Sequence, residues 1–486
     1  MSANDIRLSL GGDAEGSVFR YNPQGFFRFY KNCGQEPVYL YKKTLSTDNR
    51  YTRVFVNEQA SASLVIEGPS IVPSGQVLNV TSITNNLGAD RLVIAEGGQL
   101  VTANDVNATI RRFINFYQGE YDNYYLISTP VDGQDPEDAG MTGGEFDLYA
   151  FDQSAQGAEW RNYEAGSFAA LETGKGYLYA NDYGGYITMS GLMEAPADDV
   201  TVEHVSGKPF AGWNLIGNPY PCNVTIGRPF YRLASGGAAL ATEATDRSVA
   251  IAPMEGVFVC ADGTETVSFT KAPTTSTTSG RNLLSMRVSR SRGSKDERID
   301  ADNAIVRFGE GDQLRKLVLN PDLTQLYVAQ DGRDYAIVNA EAEGEIPVSF
   351  RPAENGSYIF SVAAEGVTMR YLHLIDHKTG ADVDLLKTPS YTFEANTGDY
   401  EGRFKLVIAC GDTNDGSETF AYYNGSQWVV SNEGEATLQV VDMMGRVLSS
   451  QSIKGNAEVN VDRAAGVYLL RLMSGDDVKV QKIVIQ

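Results

Sequence analysis

Apolar and polar positions alternate with period two along most of this chain, in short runs closed by Gly, Pro, Asn or Asp. Residues 6–10, 26–30 and 38–43 open it in this way. Strict alternation puts successive side chains on opposite faces, so each run is predicted as a half-buried β-strand. So few strands make a poor core by themselves. Residues 1–60 are therefore expected to be the C-terminal part of an upstream β module, and the chain to be the tail of a longer protein. Residues 61–115 hold shorter runs, at 62–66, 77–80, 91–94 and 98–101, separated by Gly, Pro and Asn. Such rungs stack as a β-roll or run as a meander.

Residues 116–272 form the longest module. Runs at 124–128, 146–151, 177–180, 212–217 and 256–260 are each bounded by a Pro or Gly turn signal, a spacing that predicts a β-sandwich. Residues 273–280 (PTTSTTSG) carry no large apolar side chain and are predicted as a linker, followed by the charged loop 291–303. A second sandwich is predicted over 281–412, from runs at 303–308, 334–338, 346–350, 358–362, 371–376 and 404–408. The polar stretch 411–417 then leads into a terminal domain, 418–486. The fold class is all-β and multi-domain.

Composition sharpens this picture. The chain has 486 residues, too many for one core. Its formal charge of −22 repels phosphate backbones and argues against nucleic acid as a partner. No apolar run reaches the length a membrane helix needs. Met1-Ser2-Ala3-Asn4-Asp5 lacks the basic start and apolar stretch of an export leader, again suggesting a missing upstream part. The four cysteines, Cys33, Cys222, Cys260 and Cys410, form no CxxC pair; a Cys222–Cys260 bridge and buried thiols both remain open.

A search for chemistry finds little. The chain has three histidines, His204, His373 and His377, and no GxSxG, HExxH or P-loop pattern. His373, flanked by Tyr371 and Ile375 in a β run, reads as a packed residue. Asp382 and Asp384 alternate on one strand face, and Asp300 with Asp302 sits in a charged loop. With so many acids, a solvated face is the default for such pairs. The sequence 412–416 (DTNDG) departs from a calcium loop in its glycine position and reads as a polar hinge. No catalytic residue, metal ligand or cofactor is assigned. Trp213, inside GWNLIGN, reads as core. Trp160, flanked by Glu159 and Arg161, reads as exposed, and with Tyr163 and Tyr177 it is the candidate platform for stacking a glycan.

The last fifty residues carry the clearest signal. Val440, Asp442, Gly445 and Arg446 read as a strand entering a turn. Gly466, Val467 and Tyr468 open a dense β run, and Lys482, Ile483 and Val484 alternate just before the end. These three pieces, in this order, resemble the C-terminal sorting domain of type IX secretion cargo in Bacteroidetes. The resemblance covers about the last 70 residues. It implies an immunoglobulin-like sorting domain read by the outer-membrane translocon. It further implies removal by a sorting peptidase, and then attachment of the cargo to surface lipopolysaccharide or its release. The implied location is secreted or outer cell surface. The middle modules resemble β regions that precede such domains in large surface proteins. On these grounds the chain is expected to be a non-catalytic stalk and sorting region, with an adhesin or carbohydrate-binding region, or an auxiliary region of a larger secreted hydrolase, as alternatives.

Overall fold

The computed structural model describes residues 18–21, 27–30, 53–55, 57–117, 123–195, 197–234, 238–273, 281–291, 301–411, 420–423, 427–432, 434–460, 466–475 and 477–485. The runs expected at 6–10 and 38–43 lie outside these residues, as do nearly all of the linker 273–280, most of the loop 291–303 and the hinge after 411. The described chain is all-β, its only helical pieces being two short 3-10 turns. No helix among the described residues is long and apolar enough to cross a membrane. The chain divides into two compact units, residues 1–277 with 317–320, and residues 278–316 with 321–486.

In the first unit, Val18–Tyr21 and Phe27–Tyr30 form an antiparallel hairpin. Two parallel ladders follow. Glu58–Val65, Val77–Thr84 and Gln99–Val101 stack in one. Arg53–Val54, Ser70–Val72, Leu92–Ile94 and β1 (Val106–Ile114) stack in the other. Each turn of the chain adds one strand to each ladder. This is the roll geometry, since a meander would pair antiparallel. Alternation sends Leu78, Leu100, Val72, Leu92 and Ile110 into a shared core, where all are buried. That core continues without a break into the sheets beyond residue 116, taking in Ile127, Leu148 and Tyr179.

Those sheets contain the same arrangement twice. β2 (Tyr125–Ser128), β3 (Phe146–Phe151), β4 (Trp160–Asn162) and β5 (Gly176–Asn181) pair in the order β2-β5-β3-β4. β6 (Gly185–Met193) then returns to pair with β1. The second set begins with β7 (Val200–Val202). It continues with β8 (Trp213–Gly217), β9 (Phe230–Leu233), β10 (Thr242–Thr245) and β11 (Gly256–Cys260), in the order β8-β11-β9-β10. β12 (Glu265–Val267) returns to β7. Trp213 is buried, as its setting in GWNLIGN suggests. Burial pushes the Cys222 thiol up to about 12, and no bridge joins it to Cys260.

The second unit holds two separate sets of strands. Between 283 and 410 a single hydrogen-bonded ladder folds over one core. The bend lies in the strand Glu343–Arg351. Its first part pairs with Phe404–Cys410 and its last three residues with Gln325–Gln330. Packed inside is a fully buried ion pair. Arg403 Nε and Nη2 donate to the two oxygens of Asp376 at 2.9 and 2.7 Å. Tyr391 donates to the same carboxylate at 3.0 Å, and the guanidinium lies 4.6 Å from the Phe393 ring centroid. Burial alone would raise the Asp376 pKa, but the bonds from Arg403 and the Lys378 N–H outweigh it and hold the carboxyl below its ordinary value.

A buried charge whose partner is removed is far costlier than the intact pair is stabilising. Arg403→Met is therefore expected to destabilise this sandwich by about 3–5 kcal/mol in urea unfolding. The wild-type contribution is present above the ordinary aspartate pKa and is lost as pH falls through the depressed folded value, so a plot of stability against pH should flatten at acid pH in Arg403→Met/Asp376→Leu.

Candidate functional site at the end of the C-terminal sheet

The terminal unit is two small sheets on one core. β13 (Glu435–Asp442), β14 (Val447–Lys454), β15 (Gly466–Ser474) and β16 (Asp477–Ile485) pair antiparallel in the order β14-β13-β15-β16. Ala421–Tyr423, Trp428–Val430 and Ala457–Val459 make the other sheet. Trp428, Val430, Leu438, Val440, Leu470, Leu472 and Ile483 fill the space between them. No strand of this unit pairs with a strand of the preceding ladder among the described residues.

Register brings the three sequence pieces to one end of the larger sheet. Asp442 lies opposite Tyr468, and Tyr468 opposite Ile483. Gly466 and Val467 face Ile485 and Val484, while Lys482 faces Leu469. Three pieces that stand well apart in sequence thus meet on successive strands, each pair opposite one another.

The turn after β13 explains its residue types. Asp442 Oδ1 accepts from the N–H groups of Met444 and Arg446, both at 2.9 Å, and Oδ2 accepts from Arg446 Nε at 2.7 Å. Gly445 has φ of +82°, a left-handed conformation that L side chains resist. The bond from the Arg446 N–H is the largest of several that hold the Asp442 carboxyl below the usual range. Alternation along β16 buries Ile483 and exposes Lys482 and Val484. Met443 and Met444, 64% and 76% exposed, project from the turn at the same end. The result is an exposed apolar edge beside a rigid, charge-closed turn.

One residue that alternation should have flagged is Gln481. It shares the inward face of β16 with Ile483, a position where a polar side chain needs partners. Its Oε1 accepts from the N–H groups of Phe420 and Ala421 at 2.9 and 2.7 Å, and its Nε2 donates to Ala421 O. Gln481 ties the first described strand of the unit to the last.

The aromatic candidates are placed differently from expectation. Tyr177 is buried, and its hydroxyl accepts from the Glu172 N–H. Tyr163 packs between Phe146 and Phe168, and Phe168 in turn meets Tyr177. Trp160 is half-buried, not exposed. Its register opposite Phe151 sets the rings edge-to-face at 5.1 Å, with Phe258 at 6.0 Å. Cross-strand packing overrides the charges that flank it in sequence. The acids and histidine of the sandwich serve one another: His373 stacks on Tyr371, and its Nδ1 bonds Asp382 at 2.6 Å. Asp384 accepts the Leu386 and Lys387 N–H groups instead. Among the described residues no group of three or more His, Cys, Asp or Glu is placed to hold a metal ion.

Residues 425–486 match the family model described as the secretion system C-terminal sorting domain. The match spans the turn at Asp442–Arg446 and all four strands of the larger sheet. No curated protein matches the chain. The terminal unit is therefore a type IX sorting domain, and it marks the protein for export to the cell surface or beyond.

The space around Gly445 is open, so only backbone strain opposes a side chain there. Gly445→Val is expected to cost about 1–2 kcal/mol in the terminal unit, read as faster amide exchange at Leu470 and Leu472. Gly445→Asn should recover much of it, because Asn tolerates the left-handed region. The turn should also loosen as pH falls through the depressed Asp442 pKa, and Asp442→Asn should remove that pH dependence.

Proposed function

We propose that this chain is the non-catalytic stalk and sorting region of an exported surface or secreted protein. The observation that carries the reading is the convergence of Asp442, Gly445, Arg446, Gly466, Val467, Tyr468, Lys482, Ile483 and Val484 at one end of a separately paired sheet, within the stretch that matches the sorting family. The mechanism is positional. A closed turn and an exposed apolar edge offer the translocon a folded surface, and β16, the last strand of its sheet among the described residues, offers an edge for strand addition. Once the cargo has crossed, the sorting peptidase removes the domain and the cargo is joined to surface lipopolysaccharide or released.

The stalk role draws on the remaining modules. Their polar side chains are largely spent on holding strands together, as in the Arg403–Asp376 and His373–Asp382 pairs. Stiff, densely cored sheets suit a spacer between a surface and whatever it displays. Deleting residues 418–486 in a type IX-competent host is expected to leave the protein inside the cell, while the intact chain reaches the surface shortened by roughly the mass of the terminal unit. Unchanged surface display of the deletion would refute the reading.

A further inference from the structure

The two strand sets of the first unit are related residue by residue. Each fifth strand begins on a glycine, Gly176 opposite Ser128 in the first set and Gly256 opposite Gly217 in the second. Two residues earlier stands a left-handed residue in each, Gly174 at φ +79° and Met254 at φ +58°. The sets then clasp one another reciprocally. Lys175 bridges to Ile216, and Glu255 bridges to Ile127. The Gly217 N–H donates to Gly174 O at 2.9 Å, and the Ser128 N–H donates to Met254 O at 3.1 Å. This is a pseudo-twofold arrangement, in which Gly174 corresponds to Met254, Leu215 to Leu126 and Asn214 to Tyr125.

The correspondence extends to the flanking strands. β6 and β12 start equally far beyond Gly176 and Gly256. The third residue of each, Ile187 and Val267, is opposite Arg112 on β1 and Val200 on β7 respectively. Arg112 and Val200 therefore occupy equivalent places, and here the symmetry breaks. Arg112 Nη1 donates to Met254 O at 2.5 Å and Leu126 O at 3.2 Å, with the guanidinium 5.4 Å from the Tyr125 ring centroid. At the equivalent place Val200 has no side-chain donor to offer the corresponding carbonyls, those of Gly174 and Leu215.

A cleft of about 640 Å³ lies there, lined by Gly174, Val200, Asn214 and Leu215. Six acidic residues also line it, Asp132, Asp152, Glu194, Asp198, Asp199 and Glu203. The one lysine in the lining, Lys175, is 2.5 Å from Glu172.

We propose that this cleft receives an arginine side chain presented by a peptide segment of another protein. The molecule displays the recognition in its own other half, where the matching carbonyls already hold a guanidinium. A planar guanidinium has several N–H donors to divide between carbonyl and carboxylate oxygens, which an ammonium cannot do in the same geometry. The acidic residues of the lining supply the opposite charge and draw a cationic segment in. A neutral saccharide would make no comparable use of six negative charges. The inference concerns what the stalk meets outside the cell and stands apart from export, so its failure would leave the sorting role untouched.

The test titrates the full chain with the peptide acetyl-Gly-Arg-Gly-amide, and with its Lys and Gln counterparts, following the amide signals of residues 174–176 and 214–216 by NMR. Saturable binding of the Arg peptide is expected, weaker by about tenfold or more for the Gln peptide and falling with added salt. Val200→Arg, which restores the missing side chain within the chain itself, should abolish it. Asp198→Asn/Asp199→Asn, at exposed positions, should weaken it by a similar factor with the fold intact by circular dichroism, and it decides the matter should Val200→Arg fail to fold. No saturable binding, equal binding of the Gln peptide, or binding unchanged in the Asn variant would overturn the proposal.

Discussion

A β-strand cannot satisfy its own backbone groups, so each strand of this chain must find its partners in another segment, and the register of that pairing decides which side chains meet. Nearly everything distinctive here follows from register. In the roll, parallel stacking carries Val54, Ile71, Val93 and Thr109 into one column. In the sandwich, one strand changes partner between Val348 and Ser349, which lets a single ladder enclose its own core. In the terminal unit, register alone sets Asp442, Tyr468 and Ile483 side by side. A one-residue slip in β16 would bury Lys482 and expose Ile483, so the burial of Ile483 and the partners of Gln481 fix that strand in place.

The first unit adds a second use of the same constraint. Two copies of one strand order clasp through reciprocal bridges at Lys175–Ile216 and Ile127–Glu255. Such a clasp needs a chain reversal immediately before the fifth strand of each copy, and close approach of the backbones. Gly176 and Gly256 meet that demand, since a Cβ at either would lie within 3 Å of a neighbouring carbonyl oxygen. The second copy takes its left-handed turn with Met254, a buried side chain that fills the shared core while its backbone oxygen holds Arg112. The first copy has Gly174 there and Val200 opposite, which leaves the acidic cleft open.

Much of this was legible in the sequence because period-two alternation is a local signal. The strands at 146–151, 256–260 and 404–408, and the turn chemistry of Asp442, Gly445 and Arg446, could be read from single segments. The core position of Trp213 was equally plain. What depends on distant partners was not. Nothing local distinguishes a parallel rung from a meander strand, nor shows that Phe151 will lie across from Trp160 and draw it inward. The duplication was hidden because the two copies share a strand order and glycine positions rather than side chains: Tyr177, Leu178 and Tyr179 stand where Val257, Phe258 and Val259 stand in the other. Gln481 was within reach, as a polar residue on an apolar face, and its partners sixty positions away were not.

The central claim is that the terminal unit is a self-contained address carried by its folded surface. It is tested most directly by fusing residues 418–486 to the C-terminus of a periplasm-targeted fluorescent protein, and measuring the fraction reaching the cell surface in a type IX-competent strain and in one lacking the translocon. The account requires surface fluorescence in the first strain alone, and its loss when Gln481→Ala and Gly445→Val together unsettle the sheet. Equal surface fluorescence in both strains, or full export of the unsettled variant, would contradict it.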